Sequence, residues 1–153
     1  MLRFRTSLWT CLGIVTAISL LSATPSHAQV TPGVQAGMSL DPDQFFFGGH
    51  IETSPLIDRL RFRPGVDIGI GDSATLVGFN MDFTYTFPSR SPWNIYAGGG
   101  PALNWYDNDS GSDTNGGFNL LIGAKQRRGL FFEMKIGMVD SPDFKFGVGY
   151  SFR

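Results

Sequence analysis

The strongest constraint on this chain is an alternation of apolar and polar residues with a period of two, which recurs along the sequence. The segments that carry it lie at about 33–40, 44–53, 59–70, 74–87, 93–106, 117–126, 129–138 and 143–152. Successive side chains of a β-strand point to opposite faces, so this period is that of a strand with one apolar face. No segment after residue 28 has a convincing helical period. The pattern therefore predicts an all-β protein with eight strands.

The connections between these segments are rich in turn-forming residues, as in "SPLID", "PSRSP" and "VDSPD". None of them has room for the crossover helix that joins parallel strands. Consecutive strands are therefore expected to pair in antiparallel fashion. Eight strands in sequence with short connections predict an antiparallel up-and-down β-barrel.

The N-terminal segment has the pattern of a secretory signal peptide. Arg3 and Arg5 precede an apolar run at 8–21, and a small-residue site ends at Ala28. The run is shorter than the roughly 20 residues that span a bilayer as a helix. We expect residues 1–28 to be a cleavable signal peptide that directs export, and residues 29–153 to be one barrel domain.

Charge and cysteine content narrow the classes of protein further. Cys11, the only cysteine, lies in the signal segment, so the exported chain has no disulfide framework. Two of the 12 basic residues lie there too, which leaves ten against 13 acidic residues and a net charge of −3. A mildly acidic chain of this kind lacks the basic surface that binds nucleic acid. No cofactor or metal motif occurs.

Two architectures fit an exported eight-strand meander. A soluble lipocalin-like barrel directs its apolar residues inward around a ligand, whereas an outer-membrane barrel directs them outward to lipid. Large aromatic residues near the strand ends, around an aliphatic middle, favour the outer membrane, where aromatic girdles lie at the two interfaces. The predicted girdle residues are Phe45, Phe47, Tyr85, Phe87, Trp93, Trp105, Phe118, Phe132, Phe144, Tyr150 and Phe152.

The opposite face of the strands combines glycines with charges, as expected of a narrow barrel interior. Asp82 is predicted to lie opposite Arg61 or Arg63, and Glu52 opposite Arg59 or Arg61. Charges inside a protein persist when they are paired. The predicted lumen charge network comprises Glu52, Arg59, Arg61, Arg63, Asp67, Asp82, Glu133, Lys135 and Lys145.

The connections alternate in charge and in length. Those assigned to the cell exterior contain aspartates without Lys or Arg, while most of the periplasmic turns are basic. The longest connection, at about 107–116, falls on the exterior, as it does in outer-membrane barrels. Asp107, Asp109 and Asp113 are therefore predicted to lie on an external loop.

The sequence combines a signal segment, eight alternating strands and the terminal strand "DFKFGVGYSFR". With these features its mature part resembles the small eight-stranded outer-membrane barrels of the OmpA/OmpX type, which are often labelled porin-like. The resemblance implies an outer-membrane location in a Gram-negative-type cell, contact with lipid and lipopolysaccharide, and a monomer. It also implies that the barrel-assembly machinery reads the last strand, where Phe152 matches the family's terminal aromatic residue although Arg153 follows it.

The function expected from these features is structural or surface-interactive, without catalysis and without free diffusion through the lumen. Eight strands leave an interior that side chains can fill. Two alternatives remain open at this stage. One is a soluble periplasmic lipocalin-like carrier with Phe79, Phe83 and Met134 inside. The other is a lipid A-modifying barrel enzyme that uses His50.

Overall fold

The computed structural model describes residues 29–41, 43–72 and 74–152, so the predicted signal peptide and Arg153 lie outside the described residues. The chain forms eight strands in sequence. They are β1 (Thr31–Leu40), β2 (Gln44–Glu52), β3 (Leu60–Ile70), β4 (Thr75–Thr86), β5 (Trp93–Asn108), β6 (Gly111–Gln126), β7 (Leu130–Val139) and β8 (Phe144–Ser151). The described residues contain no helix that is long and apolar enough to cross a membrane.

The strands close into one antiparallel barrel in which each strand pairs with its neighbours in sequence. The barrel closes where β1 pairs with β8. Met38 of β1, for example, lies opposite Phe45 of β2 on one side and opposite Phe146 of β8 on the other. A closed sheet leaves no strand edge unpaired. The predicted all-β fold, with eight antiparallel strands in up-and-down order, is confirmed.

The apolar faces of the strands point outward. Phe79 and Phe83 on β4 and Met134 on β7 are 46%, 43% and 38% exposed. The lipocalin-like arrangement requires these three side chains inside, so it does not occur in this barrel. Because side chains alternate along a strand, the residues between these outward positions point into the lumen.

The barrel has two different ends. The terminal end carries the start of β1, the end of β8 and the connections β2–β3, β4–β5 and β6–β7; the hairpin end carries the other four connections. Consecutive antiparallel strands make this alternation unavoidable. The aspartate-rich connections predicted for the exterior therefore all lie at the hairpin end.

The connection predicted as an external loop at 107–116 is mostly strand. β5 and β6 stay paired as far as Asn108 and Gly111, so that only two residues form the turn. The prediction was wrong because the segment lacks apolar residues, whereas strand pairing depends on backbone hydrogen bonds that polar residues also make. Asp107, Asp109 and Asp113 are exposed on this extended hairpin.

Arg59 does not belong to the lumen. β3 begins at Leu60, whose amide donates to the carbonyl of Ile57 at 2.9 Å and closes a tight turn. Arg59 lies in that turn with Asp58, which has a left-handed φ of 49°. Its side chain is exposed at the terminal end. The prediction that Arg59 lies in the lumen was wrong because the alternation of β3 does not continue into this turn.

Candidate functional site

The barrel interior contains the charged residues, because their positions in β2 to β8 share the inward parity. The charged side chains that are buried there are Glu52, Arg63, Asp67, Asp82, Glu133, Lys135 and Lys145. Arg61 points the same way but remains partly exposed near the terminal end. A charge removed from water is tolerated only with a partner and hydrogen bonds, so the geometry of these pairs determines what the lumen can do.

The middle of the lumen holds a cluster of four charges and a tyrosine. Arg63 Nη2 lies 2.5 Å from Glu133 Oε2 and 3.6 Å from Asp82 Oδ2. Lys135 Nζ donates to Asp82 Oδ2 at 2.6 Å, and the Tyr96 hydroxyl donates to Glu133 Oε2 at 2.7 Å. Two cations and two anions from three strands thus neutralise one another across the lumen.

A second cluster surrounds Asp67, nearer the hairpin end. Gln35 Nε2 donates to Oδ1 at 2.6 Å, and Asn80 Nδ2 donates to Oδ2 at 3.0 Å. Lys145 Nζ lies 3.8 Å from the same carboxylate. Asn119 continues the network by donating to Asn80 at 3.0 Å. Amides therefore satisfy much of the hydrogen-bonding capacity of this buried carboxylate.

A third cluster lies toward the terminal end, where Glu52 binds two cations. Arg61 Nη1 lies 3.1 Å from Oε1, and Lys125 Nζ lies 2.6 Å from Oε2. One carboxylate thus serves two positive groups from β3 and β6. The excess of positive charge in this cluster faces the open end of the barrel.

Apolar and aromatic side chains also point into the lumen, although no role was predicted for them from the sequence. They include the buried residues Phe46, Leu76, Tyr96, Leu121 and Phe131. Their inward orientation could have been predicted from the alternation along each strand, since Phe131 lies on the same face of β7 as Glu133 and Lys135. The inward face therefore carries buried apolar side chains and aromatic rings as well as charged groups.

His50 also lies inside the barrel. Its ring meets the edge of Phe131 at a centroid distance of 5.4 Å, and neither ring nitrogen has a hydrogen-bond partner among the described residues. A histidine in this position cannot reach a lipid on the outer surface. Among the described residues, no group of three or more His, Cys, Asp or Glu is arranged to hold a metal ion.

The predicted girdle residues all lie on the outer surface. Trp93 and Phe144 are half-buried against their neighbours, and the other nine residues are exposed. Ring pairs occur along this surface, for example Tyr85 with Phe87 at 5.3 Å and Tyr150 with Phe152 at 5.4 Å between centroids. The intervening positions carry aliphatic residues such as Ile122 and Ile136, which are about half exposed.

A cavity of about 490 Å³ opens at the terminal end, below the middle cluster. Its floor is formed by the buried residues Arg63, Thr84 and Tyr96. Its rim is formed by exposed residues of the β2–β3 and β4–β5 connections, which include Arg59 and Arg90. The barrel interior is thus open to solvent at this end.

An apolar exterior around a polar, charged interior is the inverse of a soluble protein and is the arrangement of a transmembrane β-barrel. Combined with eight antiparallel strands and aromatic residues at both ends of the apolar band, it defines the fold of the small outer-membrane β-barrels.

Known structures show the same fold. The barrel is similar to Neisserial surface protein A, with a TM-score of 0.63 at 15% identity over 83% of this chain and 99% of that one. It is also similar to the N-terminal β-barrel domain of Pseudomonas aeruginosa OprF, with a TM-score of 0.60 at 18% identity over 82% and 100%. A major outer membrane protein from Thermus thermophilus is a third similar structure, with a TM-score of 0.54 at 14% identity over 83% and 100%. No family model and no curated protein matches the sequence.

Proposed function

We propose that the chain is a small outer-membrane protein with a structural or surface-interaction role, and that it is neither an enzyme nor an open diffusion pore. The observation that carries this proposal is the cluster of Arg63, Asp82, Glu133 and Lys135, which crosses the middle of the lumen. Moving an ion past these charges would require breaking ion pairs between buried side chains, which is energetically costly.

The dimensions of the barrel support a filled lumen. An eight-stranded barrel has an interior that side chains alone can fill. Here Phe46, Phe131 and Tyr96 occupy the space between the ion pairs. His50 is buried inside the lumen, away from the lipid-facing surface, which likewise supports a role without catalysis.

The apolar exterior supports insertion into the outer membrane, where lipid and lipopolysaccharide would be the surrounding partners. We place the terminal end in the periplasm and the hairpin end outside, because long hairpins of such barrels are extracellular. The paired extension of β5 and β6, with Asp107, Asp109 and Asp113 exposed, is then the surface available to another molecule.

Assembly would proceed through the last strand. Phe146, Val148, Tyr150 and Phe152 form an outward apolar row that ends at the terminal end, and the amide of Phe152 donates to Pro32 at 2.8 Å. We propose that the barrel-assembly machinery recognises this row, and that the folded protein is a monomer because closure leaves no strand edge for a partner.

Two measurements test the proposal. The detergent-extracted protein should migrate differently on gels before and after boiling, because a closed barrel resists unfolding by detergent until it is heated. In planar bilayers it should give no stable ohmic steps under conditions in which a purified open porin does. Recovery as a soluble monomer without detergent would contradict membrane insertion, and regular conductance steps would contradict a filled lumen.

A further inference from the structure

The cavity at the terminal end has a chemistry that the structural role does not use. We propose that it is a binding site for a small dianionic phosphate compound, such as a phosphate monoester, taken from the aqueous compartment at that end. Its volume of about 490 Å³ lies within the range of roughly 300–1,000 Å³ found for small-molecule sites. Charge, free donors and shape each support this assignment.

The charge of the cavity favours an anion. Arg63 on its floor is already neutralised by the middle cluster. The remaining charged lining residues are Arg59, Arg61, Arg90, Lys125, Glu52 and Asp58. Four cations against two anions leave two positive charges, which one dianion would neutralise. Low-dielectric walls concentrate the field of such a cluster inside the cleft.

Two of the cations are available to a ligand. Arg61 and Lys125 share Glu52, but Arg59 and Arg90 form no ion pair with any residue in the described part of the chain. They lie on the two connections that flank the cavity and are exposed. Binding through them would therefore break no existing pair.

Arginine is suited to phosphate because its planar guanidinium presents a fork of donors that matches two oxygens at once. A tetrahedral dianion offers oxygens in several directions, so Arg59 and Arg90, from two successive connections at the rim, could contact different oxygens of one ligand. The Thr84 and Thr86 side chains of β4 add hydroxyl groups to the wall. Pro55 and Pro88 add apolar surface against which the organic part of a monoester would pack.

The test uses glycerol 2-phosphate as the probe and the folded, full-length mature protein in nonionic detergent at pH 8, where the phosphate is mainly a dianion. Calorimetric titration should show saturable binding at one site. The double variant Arg59→Gln/Arg90→Gln should bind at least about tenfold more weakly, because it removes two unpaired guanidinium groups from the rim. Its thermal unfolding should be unchanged, since both residues are exposed.

The matched control is Arg127→Gln/Arg128→Gln, which removes the same charge from the β6–β7 connection at the same end of the barrel but outside the cavity lining. Its affinity should equal that of the wild type. An equal loss in both double variants would reduce the effect to general electrostatic attraction and overturn the site. Absence of saturable binding by the wild type would also overturn it.

Two further arms define the ligand class. Succinate, a dicarboxylate of the same charge, should bind more weakly than the phosphate; equal affinity would overturn the assignment to phosphate. Binding of glycerol 2-phosphate should persist in nanodiscs of neutral lipid. A requirement for anionic phospholipid would make a membrane headgroup the occupant and overturn the assignment to a soluble compound. None of these outcomes depends on whether the barrel conducts ions.

Discussion

Arg63 and Glu133 are 70 residues apart in the sequence, yet Arg63 donates a hydrogen bond to the Glu133 carboxylate in the middle of the barrel. The two side chains are 5% and 3% exposed. β3 and β7 are not neighbours in the sheet, so this pair spans the lumen and connects opposite parts of the wall. It is a contact that exists only after the barrel has closed.

Replacing Arg63 by Leu should lower the free energy of unfolding by about 3–5 kcal/mol, because it leaves Glu133 charged and incompletely compensated inside the barrel. Equilibrium unfolding by urea in detergent micelles would measure the change. The double variant Arg63→Leu/Glu133→Leu should lose less than the single variant, since it removes both charges and leaves the Asp82–Lys135 pair in place.

Arg128→Leu provides the control for this prediction, since the side chain is exposed on the β6–β7 connection. Its unfolding free energy should stay within about 0.5 kcal/mol of the wild type. Wild-type stability in Arg63→Leu would contradict a buried network that rigidifies the barrel.

The facing of the strands could be predicted from the sequence, because period-two alternation fixes which side chains share a surface. Because a short turn connects β3 to β4, the sequence predicted two possible registers, and one of them paired Arg63 with Asp82. The structure places these two residues opposite each other. The contact of Arg63 with Glu133 could not be predicted, because it depends on the barrel's diameter and closure. Local pattern defines faces and neighbouring strands, but not contacts across a lumen.

The two errors at the strand ends have a related cause. Arg59 continues the alternation of β3 but lies beyond the last ladder position, and only the turn geometry at Asp58 reveals this. Conversely, the polar segment around Asp113 lacks apolar alternation, yet its backbone remains paired with β5. Strand ends are set by backbone hydrogen bonding, which side-chain patterns report poorly beyond the apolar band.

Gly100 should contribute to stability because β4 approaches β5 closely at this position. A Cβ atom there would collide with the carbonyl oxygen of Met81 and lie 3.0 Å from Cα of Asp82, both backbone atoms that cannot rotate away. Gly100→Ala should destabilise the barrel by about 1–3 kcal/mol, as overpacking does. The folded fraction, measured by gel mobility without boiling after refolding, should fall.

Gly116→Ala is the matched control, since a Cβ at Gly116 meets no atom within 4 Å. Alanine there reduces the freedom of the unfolded chain, so the folded fraction should be unchanged or slightly higher. Equal behaviour of the two variants would argue against close approach of the strands at Gly100.

Ile122 tests the lipid-facing surface. It lies in the apolar part of β6, between Ala97 and Met134, and is 49% exposed. Ile122→Arg should cost about 2–4 kcal/mol on folding into lipid vesicles, because a cation near the bilayer midplane is costly in a β-barrel. The same substitution at Thr114, on the extended hairpin, should cost under about 1 kcal/mol. Equal costs would place Ile122 outside the membrane.

The orientation of the barrel can be tested with single cysteines, because the only cysteine of the chain is Cys11 in the predicted signal segment. Asp109 lies at the hairpin end and Arg90 at the terminal end, and both side chains are exposed. In intact cells a membrane-impermeant maleimide should modify Asp109→Cys at once. Arg90→Cys should react only after the outer membrane is permeabilised, since its connection faces the periplasm in the proposed orientation. The reverse pattern would show that the acidic connections face inward, and would place the phosphate-binding cavity on the cell surface instead.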